Sequence, residues 1–240
     1  DYKKIKLDNS SHKNQVINNI IETNNSETIV RPSIITNNYG GWKNKDYLEF
    51  FVDFETISNI HNTVPMIFQI GCGYVNSDKK WIYKSFIVNE LESKEEKRIV
   101  IEWIDYMENT KKTKRQRNKE TKVYHWSHAE VSSYNKAKEM HNISYNINWV
   151  DLLKVFKQEP ITIKNCTNFS LKTIARGLNN HGLIKTTWEN SYADGMAVMV
   201  SIGQDNNIQN KAMIYDVIKY NEIDCKVLSE IICYLRENHL

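Results

Sequence analysis

Three places in the chain set acidic side chains at spacings that could do chemistry. The first is Asp53-Phe54-Glu55, which closes the run YLEFFVDF at residues 47–54. That run is aromatic and β-branched, as a buried strand is. Residues i and i+2 of a strand share a face, so the two carboxylates point together, about 6–7 Å apart at Cα. Like charges so placed repel, and a cation or a proton relieves them. Hard oxygen donors of this kind suit Mg²⁺ or Mn²⁺, although the pair taken alone reads more plainly as an exposed strand end. The second place is His125-Trp126-Ser127-His128-Ala129-Glu130. Glu130 falls in the first turn of a helix, where the dipole favours an anion. It is either ordinary helix charge or part of a zinc set with His125 and His128, for which no further ligand follows at a telling spacing. The third is Tyr220-Asn221-Glu222-Ile223-Asp224. Tyr220 and Asp224 lie four apart, on one helix face, beside the apolar Val217, Ile218, Ile223, Val227, Leu228 and Ile231. A carboxylate so close to a buried stripe needs a partner; the plainer reading is a surface acid next to a core tyrosine.

The elements that must position these groups follow from periodicity. Residues 47–54, 66–75 (MIFQIGCGYV) and 81–88 read as three strands, the last two joined by Asn76-Ser77-Asp78, and predict an antiparallel meander. Residues 93–109 predict a helix, with Ser93 and Glu96 at capping-box spacing and Ile99, Val100, Trp103, Ile104 and Met107 as its apolar stripe. A strand at 122–126, a helix at 129–140 and a strand at 147–150 follow, and Asp151 is placed to cap a helix at 152–157. Residues 170–178 predict a helix that stops at Asn180-His181-Gly182. Helices are also expected at 191–202 and 212–238. The order β-β-β-α-β-α-β and then helices predicts an α/β fold, a mixed sheet of three antiparallel strands followed by parallel ones and flanked by helices. Residues 1–41 are polar and Asn-rich, and read as an arm or linker with a short helix near 15–23; residues 42–240 read as the folded domain.

Composition excludes several classes. The 240 residues carry 32 Lys+Arg and 29 Asp+Glu, a net +3. That balance excludes histone-like basic proteins and acidic disordered tails. No run approaches the roughly 20 apolar residues of a membrane span, so no membrane partner is expected. No apolar leader is visible, and the start at Asp1 fits a fragment or a processed chain. Cys72, Cys166, Cys225 and Cys233 form no Cys-x-x-Cys pair and read as free thiols, which implies a reducing, intracellular compartment. Abundant Asn and Lys with only 3 Pro fits an AT-rich genome, such as that of a large DNA virus. The charge is uneven. Residues 111–122 (KKTKRQRNKETK) hold Lys111, Lys112, Lys114, Arg115, Arg117, Lys119 and Lys122 against Glu120, for +6, so the rest of the chain is −3. This segment either grips phosphates and steers a strand toward Glu130 or is a solvated loop. Tyr124, Trp126 and Trp188 read as base-stacking platforms or, more plainly, as core. Lys172 reads as a phosphate contact or, more plainly, as helix surface.

Taken together, Asp-x-Glu on a first strand, an acid opening a middle helix and Tyr-x-x-x-Asp on a late helix resemble the Tyr-type DEDD exonucleases of the RNase H-like superfamily. The resemblance runs from about residue 48 to 239. The middle motif of that family often reads His-Asn-x-x-Phe-Asp, and Glu130 likewise stands five residues after His125. The departure is Glu where Asp is usual; predicted nucleases of the superfamily also use Glu there, and Asp151 is the rival fourth ligand. Phe169-Ser170-Leu171-Lys172-Thr173-Ile174-Ala175 and the Tyr-Asn-Glu-x-Asp-Cys form of residues 220–225 are similar to nuclease domains linked to RecB-type nucleases and helicases, more than to polymerase proofreading domains. The resemblance implies an RNase H-like fold and 3′–5′ hydrolysis of DNA or RNA at single-stranded 3′ ends, within a larger protein or a replication or repair assembly. It implies two Mg²⁺ or Mn²⁺ held by Asp53, Glu55, Glu130 and Asp224, with Tyr220 orienting the attacking water; a phenol of pKa near 10 is a poor base at neutral pH. A catalytically inert nucleic-acid-binding domain and a structure-selective endonuclease are the competing readings.

Overall fold

Among the described residues, the polar, Asn-rich segment before residue 42 packs against the rest of the chain. The computed structural model describes residues 6–8, 10–57, 65–113, 120–188 and 211–240. Helix α1 (His12–Asn25) is capped by Ser11, whose hydroxyl accepts from the Asn14 amide at 3.2 Å. Strand β1 (Val30–Arg31) pairs antiparallel with β7 (Thr162–Ile163). Val30, Ile35 and Trp42 are buried in the main body. The Thr23 and Thr162 hydroxyls lie 2.6 Å apart, and Glu159 accepts from the Thr36 and Asn37 amides at 2.6 and 2.7 Å. The segment is held by backbone and side-chain hydrogen bonds with only a few apolar anchors, which periodicity does not register. The boundary expected at residue 42 thus falls inside a packed unit.

The five-stranded sheet has the order β4-β3-β2-β5-β6. Strand β2 (Leu48–Ile57) pairs antiparallel with β3 (Met66–Val75), and β3 with β4 (Trp81–Ile87). Strand β5 (Thr121–His125) runs parallel to β2, and β6 (Trp149–Asp151) parallel to β5. This is the expected meander followed by parallel strands.

Alternation along β2 decides what covers each face. Phe50, Val52 and Phe54 turn toward α2 (Ser93–Thr113) and α3 (Ala129–His141), packing with Ile99, Trp103, Tyr134 and Ala137. Phe51 turns the other way, into a second core that includes Val155 of α4 (Leu152–Gln158), Ile174 of α5 (Leu171–Asn180) and Val227 and Ile231 of α6 (Lys211–Asn238). The first core is aromatic under the end of β2. Phe54 meets Trp103 edge-on at 5.3 Å, and Trp149 meets Phe54 at 6.2 Å and the His125 ring at 5.2 Å. One cluster therefore steadies the ends of both β2 and β5. Asp151 caps α4 as expected, its carboxylate accepting from the Lys154 amide at 3.3 Å. The Ser93–Glu96 capping box does not form. Glu96 is buried instead, accepting from the Ile67 amide at 2.7 Å and facing His141 Nε2 at 2.8 Å. The helix expected at 191–202 lies outside the described residues.

Candidate metal centre

Phe51, Asp53 and Glu55 share one face of β2 by the period of two, so both carboxylates turn toward α6. Asp224 comes down from α6 to meet them. One carboxylate oxygen from each of Asp53, Glu55 and Asp224 lies within 4.8 Å of the others. A bulge in the β2–β3 pairing falls between Glu55 and Thr56 and shifts the register just past the site.

Asn221, one turn before Asp224, is fully buried. Its Nδ2 donates to Asp53 Oδ2 at 2.8 Å and to the Asp53 carbonyl at 3.2 Å. Its Oδ1 accepts from the Tyr83 hydroxyl at 3.0 Å. Gly71 stands opposite Asp53 in register. A Cβ there would fall 1.5 Å from Asn221 Oδ1, so the position has no room for a side chain.

The electrostatics are those of buried acids crowded together. Burial, then the carboxylates of Asp224, Glu55 and Glu130, push the Asp53 carboxyl well above its ordinary range. Asp224 is pushed well up too, by burial first and then by Glu55 and Glu130. Burial also raises Glu55, with Glu130 adding to the effect and the Asn221 amide opposing it. Lys172, in the first turn of α5, draws all three back. Its ammonium lies 5.0 Å from the centre of the Tyr220 ring. Three oxygen donors from two elements, each raised by burial and by Glu130, form a donor set that fits a hard divalent cation such as Mg²⁺ or Mn²⁺.

Glu130 is buried at the start of α3, close enough to act on the pKa of each of the three acids without joining the tight group. Its Oε2 lies 3.3 Å from His125 Nδ1. His128 turns to the Ser127 hydroxyl at 3.2 Å. No zinc set of His125, His128 and Glu130 forms among the described residues. Asp151, the rival fourth ligand, spends one oxygen on the Ser127 and Lys154 amides at 3.1 and 3.3 Å and stands outside the group.

The RNase_H_2 family model, described as RNase_H superfamily, matches residues 50–236. The chain belongs to the RNase H superfamily. The match begins on the strand that carries Asp53 and Glu55 and ends on the helix that carries Asp224. No curated protein sequence matches the chain.

Within this RNase H-like fold the described ends of the basic segment stand away from the acids. Thr121 pairs with Leu48, five residues before Asp53 on β2, so the start of β5 lies about 16 Å from the acids at 3.3 Å per residue. Lys122 is buried, with its ammonium on the Gly41 carbonyl at 2.5 Å and 3.6 Å from the Tyr47 ring centre. It is a structural lysine and leaves no ammonium for a phosphate. Lys111 and Lys112 end α2 at that same far end. Lys114, Arg115, Arg117 and Lys119 lie outside the described residues. Tyr124 and Trp188 are core, and the half-buried Trp126 donates to the Phe169 carbonyl at 3.1 Å. Sequence reasoning missed Asn221 and Gly71, and read Lys172 as a phosphate contact or, more plainly, as helix surface. Asn221 could have been found from the rule that a buried amide must spend its donors.

Proposed function

We propose that this RNase H-superfamily chain is a metal-dependent 3′–5′ exonuclease that hydrolyses phosphodiester bonds of DNA or RNA at single-stranded 3′ ends, using two Mg²⁺ or Mn²⁺. One observation carries the reading: Asp53, Glu55 and Asp224 converge within 4.8 Å at a strand end, with Glu130 close by. When bound, such ions neutralise charge on the phosphate and activate the attacking water. Asp53, Glu55 and Asp224 would hold one ion. Asp53 would share the second, which Glu130 would reach through water. Tyr220 would orient the attacking water, and Lys172 would lie beside the phosphate. The leaving group would be the 3′ oxygen of the preceding nucleotide, and the products nucleoside 5′-monophosphates. The family resemblance to RecB-linked nuclease domains supports a place in a larger replication or repair assembly.

A nuclease assay with Mg²⁺ and Mn²⁺ on end-labelled single- and double-stranded DNA and RNA tests this. The expected result is 5′-mononucleotides released from 3′ ends, with circular single-stranded DNA untouched. Cleavage of the circle would replace the reading with an endonuclease. Salt-sensitive binding without metal uptake or cleavage would replace it with an inert nucleic-acid-binding domain.

A further inference from the structure

We propose that Asn221 is a positioning residue for the metal centre: it fixes the Asp53 carboxylate in its metal-binding orientation, with Gly71 and Tyr83 as the parts that fix Asn221. The proposal rests on the reading of Asp53, Glu55 and Asp224 as metal ligands and adds what holds the first of them.

The amide is fully committed. Its Nδ2 donates to Asp53 Oδ2 at 2.8 Å and to the Asp53 carbonyl at 3.2 Å. Its Oδ1 accepts from Tyr83 at 3.0 Å, with the Cys225 thiol at 3.8 Å. An amide offers two donor hydrogens and two acceptor lone pairs, and here each has a neighbour. The reverse orientation would set Oδ1 against the Asp53 carboxylate, acceptor against acceptor, so the amide has one way to sit. It takes one side of Oδ2 and leaves Oδ1 unclaimed by Asn221. A carboxylate among other carboxylates would otherwise rotate to lessen repulsion. Groups that orient metal ligands typically contribute 10–100-fold to metal affinity.

The strand geometry points the same way. Gly71 lies opposite Asp53, and a Cβ there would meet Asn221 Oδ1 at 1.5 Å and its Cγ at 2.7 Å. Its φ is not in the left-handed region, so the glycine is required by the close approach of Asn221 and not by backbone conformation. Gly71→Ala therefore displaces Asn221 without altering any polar group.

The test is calorimetric titration of Mn²⁺ into the full chain, with melting followed in parallel. Asn221→Ala and Gly71→Ala should each weaken Mn²⁺ binding by about 10-fold or more, while Tyr83→Phe, which keeps the bond to Asp53, should weaken it by less. Adding Gly71→Ala to Asn221→Ala should cause little further loss, because no amide is left to displace. A purely structural role would lower the melting temperature of each variant and leave affinity unchanged. Wild-type Mn²⁺ affinity in a folded Asn221→Ala chain overturns the proposal. If that variant does not fold, wild-type affinity in Gly71→Ala overturns it. A wild-type chain that takes up no Mn²⁺ overturns the metal-centre reading as well; binding intact in both wild type and variants overturns the positioning role alone.

Discussion

One face of β2 carries acids at both ends, and α6 treats them in opposite ways. Glu49 and Asp53 both turn toward α6. At the Glu49 end the helix supplies Arg236, whose Nη1 donates to Glu49 Oε2 at 2.8 Å, while the Tyr124 hydroxyl donates to Oε1 at 2.9 Å. Arg236 also reaches the Trp42 carbonyl at 2.7 Å. At the Asp53 end the same helix supplies Asp224, a further acid. Arg236 and Asp224 are twelve residues apart, about 18 Å along the helix, against about 13 Å of strand between Glu49 and Asp53. The Glu49 end is closed by the protein's own charges. Among the described residues the Asp53 end gathers three acids and Glu130 against Lys172, a donor set that suits a cation from outside. A buried acid supports the fold when its partner is built in and serves chemistry when its partner must be recruited.

The largest expected effect separates the two ends outright. Asp53→Asn or Asp224→Asn should lower hydrolysis at least about 10³-fold, roughly 4 kcal/mol of barrier, with circular dichroism and melting showing an intact fold. Retained cleavage by a cleanly purified double variant would remove the distinction. Arg236→Met should do the reverse. Leaving Glu49 without its arginine should destabilise by about 3–5 kcal/mol, read as a lower denaturant midpoint. Mn²⁺ affinity of the folded fraction should stay within about twofold of wild type, because the ion pair lies at the far end of the sheet.

A smaller effect concerns the metal-free chain. Burial and neighbouring carboxylates raise Asp224 well above its ordinary range, so between about pH 4 and the raised value the folded chain binds more protons than the unfolded one. Stability without metal therefore falls as pH rises through that window, and the penalty is complete above it. Asp224→Asn removes this penalty. With a chelator present, the variant should be more stable than wild type at neutral pH, and the difference should shrink as pH falls toward the ordinary carboxylate range. Saturating Mn²⁺ should reverse the order, since binding at 100 times Kd adds about 2.7 kcal/mol to the wild type. Thermal melts at two pH values, with and without metal, decide it.

The parts of the site that sequence could yield are those governed by short-range periods. Asp53 and Glu55 face together because strands repeat every two residues, and Tyr220 precedes Asp224 by one helical turn. The order of strands and helices was readable for the same reason. What escaped depends on register between distant segments. Nothing local in the chain says that Gly71 pairs with Asp53, or that Asn221 enters the space a side chain at 71 would fill. Glu96 looked like the closing residue of a capping box because Ser93 stood three residues before it; His141, 45 positions later, turns it inward. Lys111, Lys112 and Lys122 are near Glu130 in sequence but stand at the far end of the strands from the acids, and only the parallel pairing of β5 with β2 reveals this.

That last point yields the smallest effect and the finest test of the two-ended arrangement. If substrate lies over the acid end, the cation that touches its phosphates there is Lys172, and the lysines ending α2 contribute only distant charge. Each phosphate contact on a single strand adds about 0.7 to the slope of log affinity against log salt. Lys172→Gln should therefore lower the slope measured on single-stranded DNA by about that amount. The double variant Lys111→Gln with Lys112→Gln should leave the slope unchanged within error and shift affinity by less than about twofold at moderate salt, because charges more than a Debye length of about 8–10 Å from the strand are largely screened. A drop of about 1.4 in the double variant would mean that the strand crosses the far end of the sheet as well, and that the closed end serves binding while the open end serves chemistry.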